Sequence, residues 1–348
     1  MKSKNTHNKR GLCSNLFSKF KVLVLVILII PFIGIAKVNA QNLLVVSGNT
    51  AEVLQYNGFS GAFIDAFVTS GSGGVGFPSA LNFGPDGNLY LVSFATAEVL
   101  RYDGNNGAFI DTFVTSGSGG LANPRGLVFG SDGNLYVCSR DTNEVLRYDG
   151  TTGAFIDVFV TAGSGGLDSP NGIAFGPDGN LYVGGFISGV LRYNGTTGAF
   201  IDNFVPFGTV GNIQALLFGP DGNLYASSSS TDGVPRFNGI TGALIDAFVA
   251  PGSGGLDNPR GIAFGPDGNF YVSSLDNDQV LRYNGTTGAF INVFVTAGSG
   301  GLDFPRGIIF RNLQPSSVPT LSEWGLIAMA GILGLAGLMV IRRKKATA

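Results

Sequence analysis

LDNPRGIAFGPDGNFYVSS, Leu256 to Ser274, decides the fold, because close copies of it recur along most of the chain. The phenylalanine of its FG(P/S)DGN frame falls at Phe83, Phe129, Phe175, Phe218 and Phe264, and Phe310 continues the series, at spacings of 46, 46, 43, 46 and 46 residues. A second frame resembling VLRYNG places its third residue at Gln55, Arg101, Arg147, Arg192, Arg236 and Arg282. Self-similarity at a fixed period of this length is the mark of a repeat architecture. The frame is nearly constant, but one position inside it is not: Arg260 is replaced by Ser79, Arg125, Asn171, Gln214 and Arg306 in the other copies.

One repeat reads as four short strands, of the kinds RGIAFG, NLYVSS, EVLRY and AFIDVFV, rich in β-branched and aromatic residues. GPDG joins the first two: its proline presets φ, and its last glycine tolerates a left-handed backbone. NGTTG joins the third and fourth. Four strands per repeat of about 45 residues is the signature of a propeller blade. The first copy begins in mid-blade with Asn42 to Ser47, and the last supplies only a first strand, Arg306 to Arg311. Laid side by side, the two remnants complete a ring. The fold class expected is therefore all-β, a six-bladed β-propeller with N-/C-terminal strand closure, flanked by an N-terminal signal peptide and a C-terminal transmembrane helix.

The P(R/N)GIAFGPDGNLYV frame resembles the NHL-repeat type of propeller and is similar to the wider six-bladed group that includes streptogramin lyases and gluconolactonases. The resemblance covers about residues 42–311. It is specific for architecture and not for activity, since the group mixes enzymes with binding proteins.

The two ends differ from the middle. Residues 1–21 are basic, residues 22–36 are apolar, and Val38-Asn39-Ala40 fits a small-residue cleavage site before Gln41. This pattern reads as a secretory signal over 1–40, with an uncleaved anchor as the alternative. Seven basic residues lie before Gln41 and four after Ile341. Between Gln41 and Pro315 stand ten arginines, no lysine and 22 acids, a net charge of −12. So acidic a domain repels phosphate backbones, which argues against nucleic acid as a partner. Of two cysteines, Cys13 lies in the signal, and Cys138 has no intrachain partner once it is removed.

At the other end, linker residues 312–317 precede Val318-Pro319-Thr320-Leu321-Ser322-Glu323-Trp324-Gly325, an apolar run to Ile341, and Arg342-Arg343-Lys344-Lys345. The run is long enough to span a bilayer, and the basic tail would stay in the cytoplasm. The order resembles the IPTL-type bacterial sorting signal, with Val318 in place of the usual isoleucine and Pro319, Thr320, Leu321, Ser322, Glu323, Trp324 and Gly325 matching. The resemblance implies recognition of 318–348 by a membrane-embedded exosortase-type enzyme. It also implies a transient hold in the inner membrane and delivery to the envelope or surface, with release as a further outcome. A plain tail anchor is the alternative.

In a propeller the first strand of each blade lines the central channel, so the varying position falls at the channel mouth. The ring Ser79, Arg125, Asn171, Gln214, Arg260, Arg306 is the candidate site for an unidentified ligand, protein or glycan. Three arginines in an acidic domain would focus positive potential there and hold a carboxylate, sulfate or acidic sugar by paired hydrogen bonds. The competing reading pairs these arginines with Asp257 and Asp303, for stability alone.

No catalytic residue, metal or cofactor is expected. The only histidine, His7, lies in the signal, and a mechanism resembling that of streptogramin lyases would need an imidazole. A lactonase-type metal site would need channel carboxylates that the ring lacks. A lone calcium among Asp141, Glu144, Asp232, Asp276 and Asp278 would have uneven spacing from blade to blade. The repeated GSGG, from Gly71 onwards, is a blade connector rather than a phosphate loop, since no helix follows. The arginines of the third strands pair with Asp111, Asp157, Asp202 and Asp246 ten residues on. The functional expectation is a non-catalytic, exported propeller that binds at its channel mouth, with a propeller enzyme as the alternative.

Overall fold

The computed structural model describes residues 41–186 and 188–312, and these form six four-stranded antiparallel sheets. We number the blades from the first that is continuous in sequence. Blade 1 runs from Pro78 to Val114, blade 2 from Pro124 to Val160 and blade 3 from Pro170 to Val205. Blade 4 runs from Ile213 to Val249 and blade 5 from Pro259 to Val295. Blade 6 is composite: Pro305–Asn312 is its innermost strand, followed by Gln41–Ser47, Glu52–Asn57 and Phe63–Val68. Leu43 stands opposite Phe310 and Val45 opposite Ile308. The two ends thus close the ring in the way their complementary remnants require, and the six innermost strands pack each against the next around a channel.

The constant frame is explained by contacts between blades. The second strands are buried throughout. Six apolar clusters lie at the six blade seams. In five of the seams a tyrosine of the NLY frame is held edge-on by two phenylalanines, and in the sixth Leu44 takes its place. Tyr90 lies 4.8 Å from Phe113 of its own blade and 4.8 Å from Phe129 of the next. Such pairs add about 0.5–1.5 kcal/mol each beyond the area they bury. The tyrosine hydroxyl donates to the aspartate of the hairpin before it, Tyr90 to Asp86 Oδ2 at 3.0 Å. The same aspartate accepts from the Asn88 backbone and side chain. Asp, Asn and Tyr in GPDGNLY are therefore one hydrogen-bonded unit, repeated with the blade.

The second tyrosine, that of the RY pair, reaches the connector. Tyr102 donates to the Ser72 carbonyl at 2.8 Å, and Tyr148 to that of Ser118. The GSGG segments are single 3-10 turns entered through a left-handed glycine, as at Gly71 with φ 76°. Blade 4 lacks this turn at its entry; Phe207 there is 68% exposed.

Every outer strand pair carries a β-bulge. The bulge turns two successive outer-strand residues inward, as with Phe113 and Val114, and so supplies the phenylalanine that grips the tyrosine. Pro235, in the third strand of blade 4, sits at that bulge, where a missing N–H costs least. The third-strand arginines pair across it with aspartates, at 2.5–2.6 Å, in four blades. In blade 5 Arg282 donates to Asn292 instead. These pairs are half-exposed and contribute about 1 kcal/mol or less each.

Turn packing is tighter. A Cβ on Gly150 would collide with the Gly133 carbonyl of the neighbouring turn. Gly150→Ala should therefore lower stability by about 2–3 kcal/mol, read as a shift of the urea midpoint at unchanged slope. An unchanged midpoint would mean that the two turns separate freely.

Cys138 is fully buried, and burial pushes its thiol well above the ordinary range. It packs as a small hydrophobe. No helix among the described residues is long and apolar enough to cross a membrane. The expected signal peptide, linker and C-terminal transmembrane helix lie outside the described residues.

Candidate functional site

The varying position of the repeat is the unpaired residue of a second bulge. In blade 1, Pro78 stands opposite Ser93 and Leu81 opposite Leu91, which leaves one extra residue on the inner strand. The same slip occurs around Arg125, Asn171, Gln214, Arg260 and Arg306. A bulged residue has no cross-strand partner to satisfy and is re-aimed by the local twist. The frame can hold while this side chain changes, because no pairing depends on it.

All six side chains line one small pocket at the channel mouth, of about 70 Å³. Below them Ala80, Gly126, Gly172, Ala215, Gly261 and Gly307 let the inner strands approach closely, and the channel continues with a volume of about 720 Å³ between walls of mixed polarity. The mouth pocket is enough for one small polar group, since a water claims about 30 Å³.

The pairing of the ring arginines with Asp257 and Asp303, on which the competing reading rests, does not occur. Among the described residues, no carboxylate lies within 4.0 Å of Arg125, Arg260 or Arg306. Asp303 accepts instead from the side chain of Asn49 at 2.8 Å. Asp257 is exposed and faces Asp276 and Asp232, whose charges help to push its carboxyl above the ordinary range after burial has begun the shift.

The guanidiniums are supported by aromatic rings. Arg125 lies 4.1 Å from the centre of Phe94, and Arg306 lies 4.7 and 5.0 Å from Phe77 and Phe304. Gly48 makes room beside Arg306, where a Cβ would crowd its Nε. Arg260 donates to Gln214 Oε1, which also accepts from Asn171 Nδ2. The Nε atoms of Arg125, Arg260 and Arg306 are all buried without a hydrogen-bond partner.

A fourth arginine joins them. Arg140 directly follows the second strand of blade 2 and stands over Phe186 at 5.7 Å. Burial, then Arg140 and Arg260, push the Arg125 guanidinium down to about 10. Burial, then Arg260, Arg125 and Arg140, push Arg306 down to about 9. Arg260 is lowered by burial, which outweighs the opposing charge of Asp276. Arg125 and Arg306 remain cations at neutral pH, but they are repelled by their cationic neighbours and partly stripped of water.

Sequence reasoning missed Arg140 and the phenylalanines because it followed one varying position. Two more vary on the same face. The residue after the second strand is Gly48, Phe94, Arg140, Phe186, Ser229 or Leu275, and the residue before the inner strand is Phe77, Asn123, Ser169, Asn212, Asn258 or Phe304. Their variation within a constant frame was the available signal.

Four of the five loop acids that a calcium ion would draw on accept hydrogen bonds from neighbouring residues. Asp141 accepts from Asn123, Asp276 and Asp232 from Asn258, and Asp278 from the Phe304 backbone. Among the described residues, no group of three or more His, Cys, Asp or Glu is placed to hold a metal ion.

Fold and termini together define a six-bladed β-propeller of NHL-like repeats that carries a sorting signal. Residues 316–344 match the IPTL-CTERM motif. The motif indicates export to the cell surface and implies processing by an exosortase-type enzyme; its residues Pro319 to Gly325 lie outside those the structure describes. A chain of the nidogen/laminin complex superposes with a TM-score of 0.62 at 16% identity, covering 78% of this chain and 98% of that one. A protein of unknown function from Bacteroides caccae superposes with a TM-score of 0.58 at 11% identity, covering 79% of this chain and all of that one. Virginiamycin B lyase from Staphylococcus aureus, crystallised with quinupristin, reaches only 0.48 at 15% identity, over 60% of this chain and 67% of that one. At these identities the likeness is one of fold. No curated protein matches the sequence significantly.

Proposed function

We propose that this chain is an exported, envelope- or surface-displayed propeller that binds an anionic group of a ligand or partner at its channel mouth and catalyses no reaction. Residues 1–40 direct export, 41–311 form the displayed domain, 312–317 are a linker, and 318–348 hold the chain in the inner membrane until the sorting enzyme acts. The observation that carries the binding reading is the convergence of Arg125, Arg140, Arg260 and Arg306, with no carboxylate in ion-pair range and three orphaned Nε–H groups. An unneutralised cluster costs stability, and bound anion would supply both the missing charge and the missing acceptors.

A lyase or lactonase reading has less to rest on, since no histidine occurs between Gln41 and Ala348. The test is calorimetric titration of sulfate and acetate into the full domain at low salt. Replacing Arg125, Arg260 and Arg306 together with alanine should abolish binding and leave the far-ultraviolet dichroism unchanged. Undiminished binding by that variant would move the site elsewhere.

A further inference from the structure

The mouth is not symmetric, and its asymmetry narrows the ligand. On the side of blades 3 and 4, the polar groups are consumed by one another. Asn171 donates to Gln214, and Gln214 Nε2 donates to Asn212 Oδ1 at 2.7 Å and Ser229 Oγ at 2.9 Å. On the side of blades 6, 1 and 2, Arg306 and Arg125 flank Ser79, the smallest member of the ring. The wall there is a row of phenyl rings: Phe304 to Phe77 at 5.7 Å, and Phe77 to Phe94 at 5.9 Å.

Two of those rings are held against backbone preference. Phe77 has φ 46° and Phe304 has φ 61°, in the left-handed region, where Asn123, Asn212 and Asn258 stand at the equivalent positions. Asparagine tolerates this conformation and a bulky aromatic does not, at a cost of about 1–3 kcal/mol each. Strain of this kind persists where the side chain has a use. The two strained phenylalanines are neighbours, and both touch Arg306.

Resting on the anion-binding reading above, we propose that the Arg306–Ser79–Arg125 side of the mouth takes a carboxylate carried on an aromatic body, with the carboxylate on the guanidiniums and the ring against Phe77, Phe94 and Phe304. A sugar acid fits this side less well, because Asn171 and Gln214, the ring amides that could bind its hydroxyls, are bonded to each other on the opposite side of the mouth. The aromatic carboxylate has two natural sources, a free aryl acid or the C-terminal residue of a polypeptide.

Titrations at low salt into the whole propeller decide the matter. Phenylacetate should bind about tenfold more tightly than acetate, the gain of one or two aromatic contacts, and more tightly than glucuronate. The double variant F77N/F304N, whose asparagines suit the left-handed backbone, should fold and lose the preference for phenylacetate over acetate, read as the ratio of the two affinities within that variant; a preference that survives there would overturn the aromatic assignment. Gly-Gly-Phe with a free carboxylate should bind and its amide should not. If the peptide binds more tightly than phenylacetate, the source is a polypeptide end; if it does not, the source is a small acid. Equal binding of phenylacetate and acetate, or tighter binding of glucuronate, would overturn the aromatic assignment and leave the anion site standing. Failure of acetate, sulfate and phenylacetate alike would remove the anion site itself.

Discussion

Replacing Arg306 with methionine should make the propeller more stable while it weakens the anion binding proposed for the channel mouth. Few substitutions of an inner-strand residue do that. The sign follows from the depressed position of the Arg306 guanidinium, at about 9. A cation held less comfortably in the folded chain than in the unfolded one destabilises the fold at every pH below that value. The penalty then fades as pH rises from about 9 towards the ordinary arginine range. Exchange of buried charged groups for well-packed apolar side chains of similar volume gains up to about 1–4 kcal/mol. The lost stacking on Phe77 and Phe304 returns about 1 kcal/mol of that. A net gain of about 1–3 kcal/mol corresponds to a melting point several degrees higher in a domain of this size. Calorimetric scans at pH 7 and pH 10 would check it, with the gain smaller at pH 10. A melting point that falls at pH 7 would mean that Arg306 has a stabilising partner in the folded chain.

A chain that stops after Asp303 should not fold to a monomer. It would lack Pro305–Asn312, the innermost strand of the composite blade, and Gln41–Ser47 would lose the partner on one of its two edges. The seam between blades 5 and 6 would open as well, since Ile308 and Phe310 pack there with Leu43, Val45 and Tyr271. Phe310 lies 4.9 Å from Tyr271, in the same edge-on grip that the other blades repeat. An exposed inner edge beside an opened apolar seam invites pairing between chains. The loss should be comparable to the whole stability of a domain, about 5–15 kcal/mol. Size-exclusion chromatography should then show aggregate in place of a monomer with a cooperative thermal transition. A truncated monomer that melts like the full chain would show that closure is ornamental. Ile308→Asp tests the same seam without removing backbone, and should lower the melting point sharply.

Architecture was legible because it is over-determined by repetition. Five near-identical spacings fix the blade, and the two partial copies fix the closure. Each constant residue proves to have a partner in the next turn or the next blade, as Asp86 has Tyr90 and Tyr102 has Ser72. The site was only partly legible, for the opposite reason. Residues that differ between blades form no pattern along the chain, and their meaning lies in which of them meet across the channel. The ring at Ser79, Arg125, Asn171, Gln214, Arg260 and Arg306 could be inferred from topology, and the structure gathers it around one pocket. That Arg125 and Arg306 stack on phenylalanines and Arg260 bonds Gln214, rather than pairing with Asp257 or Asp303, depends on side-chain direction at two bulges and a left-handed residue. No periodicity encodes these. Arg140 was hidden likewise, as one unusual residue at the end of a regular strand.

The central claim is that the buried guanidiniums at the channel mouth await an anion, and their Nε–H groups report it directly. In a nitrogen-15 correlation spectrum of the folded domain, phenylacetate should shift the Nε–H signals of Arg125, Arg260 and Arg306 together and saturably. The paired arginines Arg101, Arg147, Arg192 and Arg236 should not move. Signals of the mouth that stay fixed while those of the paired arginines drift would contradict the claim.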